Sequence, residues 1–242
     1  RAAELSKCDL LTHMVGEFPE LQGLMGRYYA LHDHEPAEVA EALREQYLPR
    51  FAGDALPATR TGMALSIADK LDTLAGIYAT GQKPTGTRDP FGLRRAALGL
   101  LRTSIEQGLD LDLQQLIGQA VAAARADMAR VAIDQDKPLG AIDAEKLAVE
   151  VYDYVLERLR AYYVEGTADI TVAVEAFDAV LATRPASALD FDARLRALVQ
   201  FLRLPDATSL AAANKRIANI LKKVAEPVGE TVDESQIIDP AE

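Results

Sequence analysis

The sequence predicts an all-α protein, a chain of many short and medium helices, on three observations. Apolar residues recur at a spacing near 3.6 through almost the whole length. The breaks between these runs are short and carry Gly, Pro or a capping residue. No stretch sustains the apolar–polar alternation of a strand. Residues 172–174 would suit a strand on propensity alone, but the helical period around them outweighs it.

Taken in order, residues 2–15 carry Leu5, Cys8, Leu11 and Val15 at helical spacing, and residues 16–19 break the pattern. A second helix is expected over 20–31, with Leu21, Leu24, Met25 and Tyr28 on one side. Residues 32–36 (His-Asp-His-Glu-Pro) form a turn, and Pro36 opens a helix through Tyr47. After a loop with Gly53-Asp54, residues 59–79 form a long, mostly apolar helix that should be buried on most sides.

The stretch 84–102 reads PTGTRDPFGLRRAALGLLR. Asp is a preferred N-cap and Pro a preferred first helical residue, so a helix should start at Asp89. Its apolar stripe would be Phe91, Ala97, Leu98 and Leu101, flanked by Leu93 and Leu100. Residues 110–131 and 143–164 follow as helices, the latter capped by Asp143, with a linker at 137–140 and a stop at 165–166. Residues 169–182, 189–204 and 209–224 complete the series. From 225 the chain is rich in Glu, Asp, Gly and Pro and is expected to be loose. Short connections imply antiparallel neighbours.

Of 242 residues, 49% are hydrophobic and 26% charged, which suits a globular protein with a core of its own. There is no Trp and there are only six Phe, so Leu, Ala, Val and Ile must build that core. A net charge of −11 argues against a surface that is basic all over, but leaves room for a local basic patch. With Cys8 alone, no intrachain disulfide can form, which fits a reducing compartment and a cytoplasmic location. No apolar run approaches the ~20 residues that span a bilayer. The chain opens on Arg1 inside a helical pattern, and reads as a piece of a longer protein.

Three groups of residues could carry chemistry. Arg88, Arg94 and Arg95 cluster at the N-terminal end of the helix after Asp89, where cations run against the helix dipole. With the bare N–H groups there they could bind an anion such as phosphate, or they could pair with carboxylates. Arg194, Arg196 and Arg203 on one helix, and Lys215, Arg216, Lys222 and Lys223 on the next, reverse the sign of an acidic chain. Asn214 and Asn219 lie among them. This cluster suits a phosphate backbone or a solvated helix face. Finally, His13, His32-Asp33 and Asp69 spell the order of a metal-dependent HD phosphohydrolase, though His32-Asp33 falls in a turn. Asp69-Lys70 and Asp72 read instead as a charge pair tying helices. No Walker loop, dinucleotide fingerprint, nucleophile elbow or zinc spacing is present.

Five segments carry a resemblance: SKCDLLTHMVGEFPELQGLMGRYYA (6–30), ADKLDTLAG (68–76), GQKPTGTRDPFGLRRAALGLLR (81–102), DFDARLRAL (190–198) and AAANKRIANIL (211–221). Together they resemble the beta subunit of bacterial tetrameric glycyl-tRNA synthetase, in its C-terminal half. The resemblance implies an HD-like helical domain over 1–82, a helical connecting body over 83–165, and the start of an anticodon-binding helical domain over 166–242, cut short. It implies an HD fold without hydrolase function, with Asp9 and residues 17–23 where hydrolases hold metal. The implied enzyme attaches glycine to tRNA(Gly) with ATP and Mg, its adenylate chemistry in an alpha subunit paired with beta as a tetramer of two and two. No cofactor, metal ligand or catalytic residue is then expected in this chain. The tRNA contacts would be Arg88, Arg94, Arg95, Arg194, Arg196, Lys215, Arg216, Asn219 and Lys222, with the first three alternatively bracing two domains. The rival readings are an HD-type phosphohydrolase and a non-catalytic scaffold that docks a partner subunit.

Overall fold

A computed structural model describes residues 1–85, 88–134, 143–164 and 168–223. Among them are twelve α-helices, two short 3-10 helices and no strand, only an isolated bridge between Thr85 and Arg88. The expected linker at 137–140, the stop at 165–166 and the segment from 225 lie outside the described residues. The chain divides into two compact units, 1–195 and 196–242.

The first unit starts with the largest departure from the expected helices. Residues 2–15 do not form one helix. They form α1 (Ala2–Leu5), a 3-10 turn (Cys8–Leu11) and the start of α2 (His13–Glu17). Lys7 adopts a left-handed conformation, and Thr12 begins α2 afresh by accepting from the Val15 N–H. The break turns Asp9 inward, where it is 5% exposed. Its carboxylate accepts from the Gly23 N–H at 2.6 Å and the Tyr47 O–H at 2.9 Å. That tie also places α3 (Leu24–His32), which starts four residues later than expected, after a 3-10 turn at Pro19–Leu21.

Helix α4 (Ala37–Glu45) follows Pro36, and α5 (Arg60–Ala79) runs as expected behind Thr59, whose hydroxyl accepts from the Gly62 N–H at 3.0 Å. Buried Glu45, 1% exposed, reinforces this start by accepting from the Ala58 and Thr59 N–H groups, an anion at a helix N-terminus. The α5 helix is the centre of the unit. It packs against α4, α6 (Leu93–Glu106), α7 (Leu113–Asp134) and α8 (Ala144–Glu157). Gly99 lets α6 approach, since a Cβ there would lie 2.8 Å from Lys70 Cε and 3.3 Å from Pro49. Of the residues expected to form a charge pair tying helices, Asp69 forms one, to the segment between α1 and the 3-10 turn. Asp69 pairs with Lys7 at 2.5 Å, Asp72 is exposed, and Lys70 is buried among oxygen acceptors.

Asp143 caps α8 as expected, accepting from the Lys146 N–H at 3.1 Å. The helix expected to reach 164 divides at Arg158 into α8 and α9 (Leu159–Tyr163). Arg160 on α9 reaches Asp178 at 2.8 Å on α10 (Val174–Ala182) and lies over the Phe177 ring. Residues 169–173, expected to be helical, are not. Val172 is buried and its N–H donates to the Tyr163 carbonyl at 3.2 Å, a tertiary bond that replaces the first helical turn. Tyr163, Phe177 and Phe191 form an aromatic core, and the Tyr163 O–H donates to Asp192 at 2.6 Å. Phe191 and Asp192 belong to α11 (Ala188–Phe201), which runs across the division between units.

Candidate nucleic-acid interface

The second unit contains α12 (Ala207–Leu221), which an Ala-rich first half makes a strong helix former. From 196 to 223 there are six Lys or Arg and one carboxylate, Asp206, in a chain whose net charge is −11. Residues 211–223 are all exposed. Ala212, Lys215, Arg216, Asn219 and Lys223 fall on one stripe and line a shallow hollow. Lys222, next to Lys223, lies past the last helical residue, where the dipole favours a cation. No ion pair reaches Lys215, Arg216, Lys222 or Lys223 among the described residues. Leu210, Ile217 and Leu221 make a second, apolar stripe, each at least 49% exposed.

The two arginines of α11 differ from this. Arg194 accepts no ligand-ready role from its geometry: its Nε donates to both oxygens of Asp190 at 3.0 Å, one turn earlier, and this pairing raises its pKa. Arg196 also has an interaction partner. The i,i+4 spacing of Asp190 and Arg194 was the signal in the sequence for that pair.

At the third group, α6 begins at Leu93, not at Asp89. Gly92, at φ 67°, is the residue before the first helical turn. Asp89 still caps the helix, but from farther back: its two carboxylate oxygens accept from the N–H groups of Leu93 at 2.8 Å and Arg94 at 2.9 Å. The N–H groups expected to be open to an anion are therefore taken by the chain's own carboxylate. Phe91 leaves the apolar stripe and is 42% exposed, while Leu93, Ala97, Leu100 and Leu101 are buried. Arg88 is exposed on a short turn, paired through its backbone with Thr85, and lines an open hollow with Lys83 and Phe91. Lys83 pairs with Glu150 of α8. Arg95 is exposed at a separate crevice beside Pro49 and Phe51. Arg94 is half-buried with a partner, and its charge acts on Tyr154 of α8. Replacing Asp89 with Ala is expected to cost about 1 kcal/mol of stability, read as a lower urea midpoint, because two N–H groups lose their acceptor.

The HD spelling is not assembled. His32 is the last residue of α3 and is exposed, as is His13 at the start of α2, while Asp69 is held by Lys7. Among the described residues, no three His, Cys, Asp or Glu side chains form a group that could hold a metal ion. Sequence reasoning from the residues alone missed the burial of Asp9 and Gln46, since each looked like one position on a helical face.

Comparison with known proteins gives consistent findings. A family described as "Glycyl-tRNA synthetase beta subunit" matches residues 1–182. The glycine–tRNA ligase beta subunit of Ectopseudomonas mendocina is 49% identical over 242 residues, all of this chain and 33% of that protein. That of Hahella chejuensis is 53% identical over 223 residues, 92% of this chain and 30% of that protein. That of Pseudomonas aeruginosa is 51% identical, over 100% of this chain and 33% of that protein. The chain thus spans about a third of the length of the curated relatives it matches. No described helix is long and apolar enough to cross a membrane.

Proposed function

The chain belongs to the glycyl-tRNA synthetase beta subunit family, and from that premise we propose that it is a tRNA-binding piece of such a subunit, from its C-terminal half. The observation that carries the reading is the basic stripe of α12, with Lys215, Arg216 and Asn219 exposed on one face and free of ion pairs among the described residues. Cations held apart from carboxylates are available to a phosphate backbone. In this reading Lys215, Arg216, Asn219 and Lys222 contact the anticodon arm, and Arg194 and Arg196 of α11 are further candidate contacts. Arg88 and Arg95 offer guanidiniums to backbone phosphate, and Arg94 braces α6 on α8. The piece comprises an HD-like domain over 1–82, a connecting body over 83–165 and the start of an anticodon-binding domain over 166–242. It works in the cytoplasm with an alpha subunit, which holds ATP and Mg and forms the glycyl adenylate, in a tetramer of two alpha and two beta.

Gel filtration tests the reading, with the chain mixed in turn with tRNA(Gly) and with alpha subunit. Co-elution with tRNA at low salt, lost at high salt, is the expected result. Co-elution with alpha subunit and none with tRNA makes the chain a docking scaffold instead, its contact surface then sought in the apolar stripe of α12.

A further inference from the structure

The chain has six Phe and no Trp. Phe177 and Phe191 are fully buried in the first unit, but Phe51 and Phe91 are 57% and 42% exposed. Both stand beside the first turns of α6, and each has an arginine next to it. Phe51 shares a crevice with Arg95, and Phe91 shares an open hollow with Arg88. Arg95 also joins the two places: a Cβ on Gly92, the residue after Phe91, would lie 2.9 Å from its Nη2. The surface therefore runs Phe51, Arg95, Phe91, Arg88, ring and guanidinium by turns.

No ion pair reaches Arg88 or Arg95 among the described residues. The carboxylates of the same segments are engaged elsewhere. Asp89 accepts from the Leu93 and Arg94 N–H groups, Asp54 pairs with Arg50 at 3.1 Å, and Glu106 pairs with Arg102 at 2.7 Å. The ring of Phe51 is also held in place. Its loop is pinned at the Leu48 carbonyl, which accepts from Lys70 and Ser66 at 2.7 Å each, and at Asp54, whose carboxylate accepts from the Arg50 N–H at 2.8 Å. A ring fixed in advance leaves little ordering for a ligand to impose. Exposed rings that alternate with unneutralised cations fit an unpaired nucleic-acid strand, whose bases stack on the rings while its phosphates meet the guanidiniums. A duplex keeps its bases stacked on one another and offers such rings nothing. We propose that this surface binds an unpaired stretch of RNA, with bases stacked on Phe51 and Phe91 and phosphates on Arg95 and Arg88. The inference rests on the reading of the chain as tRNA-binding, and adds that α6 takes a single strand where α12 takes phosphate alone.

The test is fluorescence anisotropy of fluorescein-labelled hexa-adenylate RNA with the complete beta subunit carrying Lys215→Ala and Arg216→Ala, so that α12 does not contribute. Saturable binding is expected, and a short RNA duplex should compete poorly. Phe51→Leu or Phe91→Leu, added singly, keeps apolar bulk and removes the ring. Each should weaken binding about fivefold or more and leave its salt dependence unchanged. Arg88→Gln with Arg95→Gln should instead make the slope of log K against log salt shallower by about 1.4, from about 0.7 for each phosphate on a single strand. No saturable binding, full affinity in both Phe variants, or equal competition by the duplex overturns the proposal. Any of these together with co-elution of tRNA removes this inference and leaves the tRNA reading standing. Hexa-adenylate binding that depends on both rings, with no co-elution of tRNA, does the reverse.

Discussion

Replacing Lys215 and Arg216 together with alanine, in the proposed tetrameric enzyme, is expected to lower affinity for tRNA(Gly) and flatten its salt dependence. Each phosphate contact contributes about −0.9 to the slope of log K against log salt on a duplex, through release of condensed counterions. Losing two contacts makes the slope shallower by about 1.8. Across a rise from about 50 to 200 mM salt, that difference amounts to roughly tenfold. The loss is therefore largest at low salt and shrinks as salt is raised. It should be nearly the same for tRNAs of different sequence, because a phosphate contact carries no base information. Arg194→Ala is the internal contrast. Its guanidinium already serves Asp190 at 3.0 Å, so its removal should move the slope much less than removal of either unpaired cation. Fluorescence anisotropy of labelled tRNA over a salt series checks both. An unchanged slope in the double variant removes α12 from the tRNA interface.

What the sequence reveals here follows from how local each determinant is. The long α5 and its Thr59 cap were readable, as was the Asp143 cap of α8, because cap and first turn lie within four residues of each other. The basic character of α12 was readable from its local composition, but the face was not: Lys215 and Lys222, seven apart, suggest one side, whereas Lys215 shares its hollow with Arg216, Asn219 and Lys223, and Lys222 lies past the last helical residue. Where a tertiary bond decides, periodicity misleads. Residues 2–15 have helical spacing, yet the chain turns at Lys7 to deliver Asp9 to Gly23 and Tyr47, 14 and 38 residues away. Residues 169–173 give up a helical turn for one bond to Tyr163. At Asp89 the residue type was read correctly and the position of the helix was not, because Gly92 takes a left-handed conformation that lets a carboxylate cap from four residues back. The burial of Asp9 and Gln46 was not readable at all. Burial is a property of what surrounds a group, and the groups that meet Asp9 lie 14 and 38 residues away in the chain.

Stability that rises with pH between about 8 and 9.5 is the second large effect expected, and Lys70 is its source. The ammonium is 5% exposed, and donates to the Leu48 carbonyl and the Ser66 hydroxyl, each at 2.7 Å. It thereby holds the turn after α4 onto α5. No carboxylate takes part in these bonds, because the adjacent Asp69 serves Lys7. Burial without a counter-charge lowers the Lys70 pKa from 10.5 to about 8. The folded state therefore releases this proton more readily than the unfolded chain does. The penalty for burying the charge is fully present below pH 8, falls as pH rises, and is gone above the unfolded value. At neutral pH it amounts to about 3 kcal/mol, and about 2 kcal/mol of it is relieved by pH 9.5. The window closes there because Tyr47 and Tyr78, whose pKa values burial pushes up, begin to ionise in the unfolded chain near pH 10 and reverse the trend. Lys70→Met keeps most of the aliphatic stem, and leaves the Leu48 carbonyl with the Ser66 hydroxyl as donor. Urea denaturation at pH 7.0 and 9.5 should show the wild type gaining about 2 kcal/mol and the variant gaining little. The same rise in both proteins would place the titrating group elsewhere, and Lys70 would then be a neutral or well-compensated strut between α4 and α5.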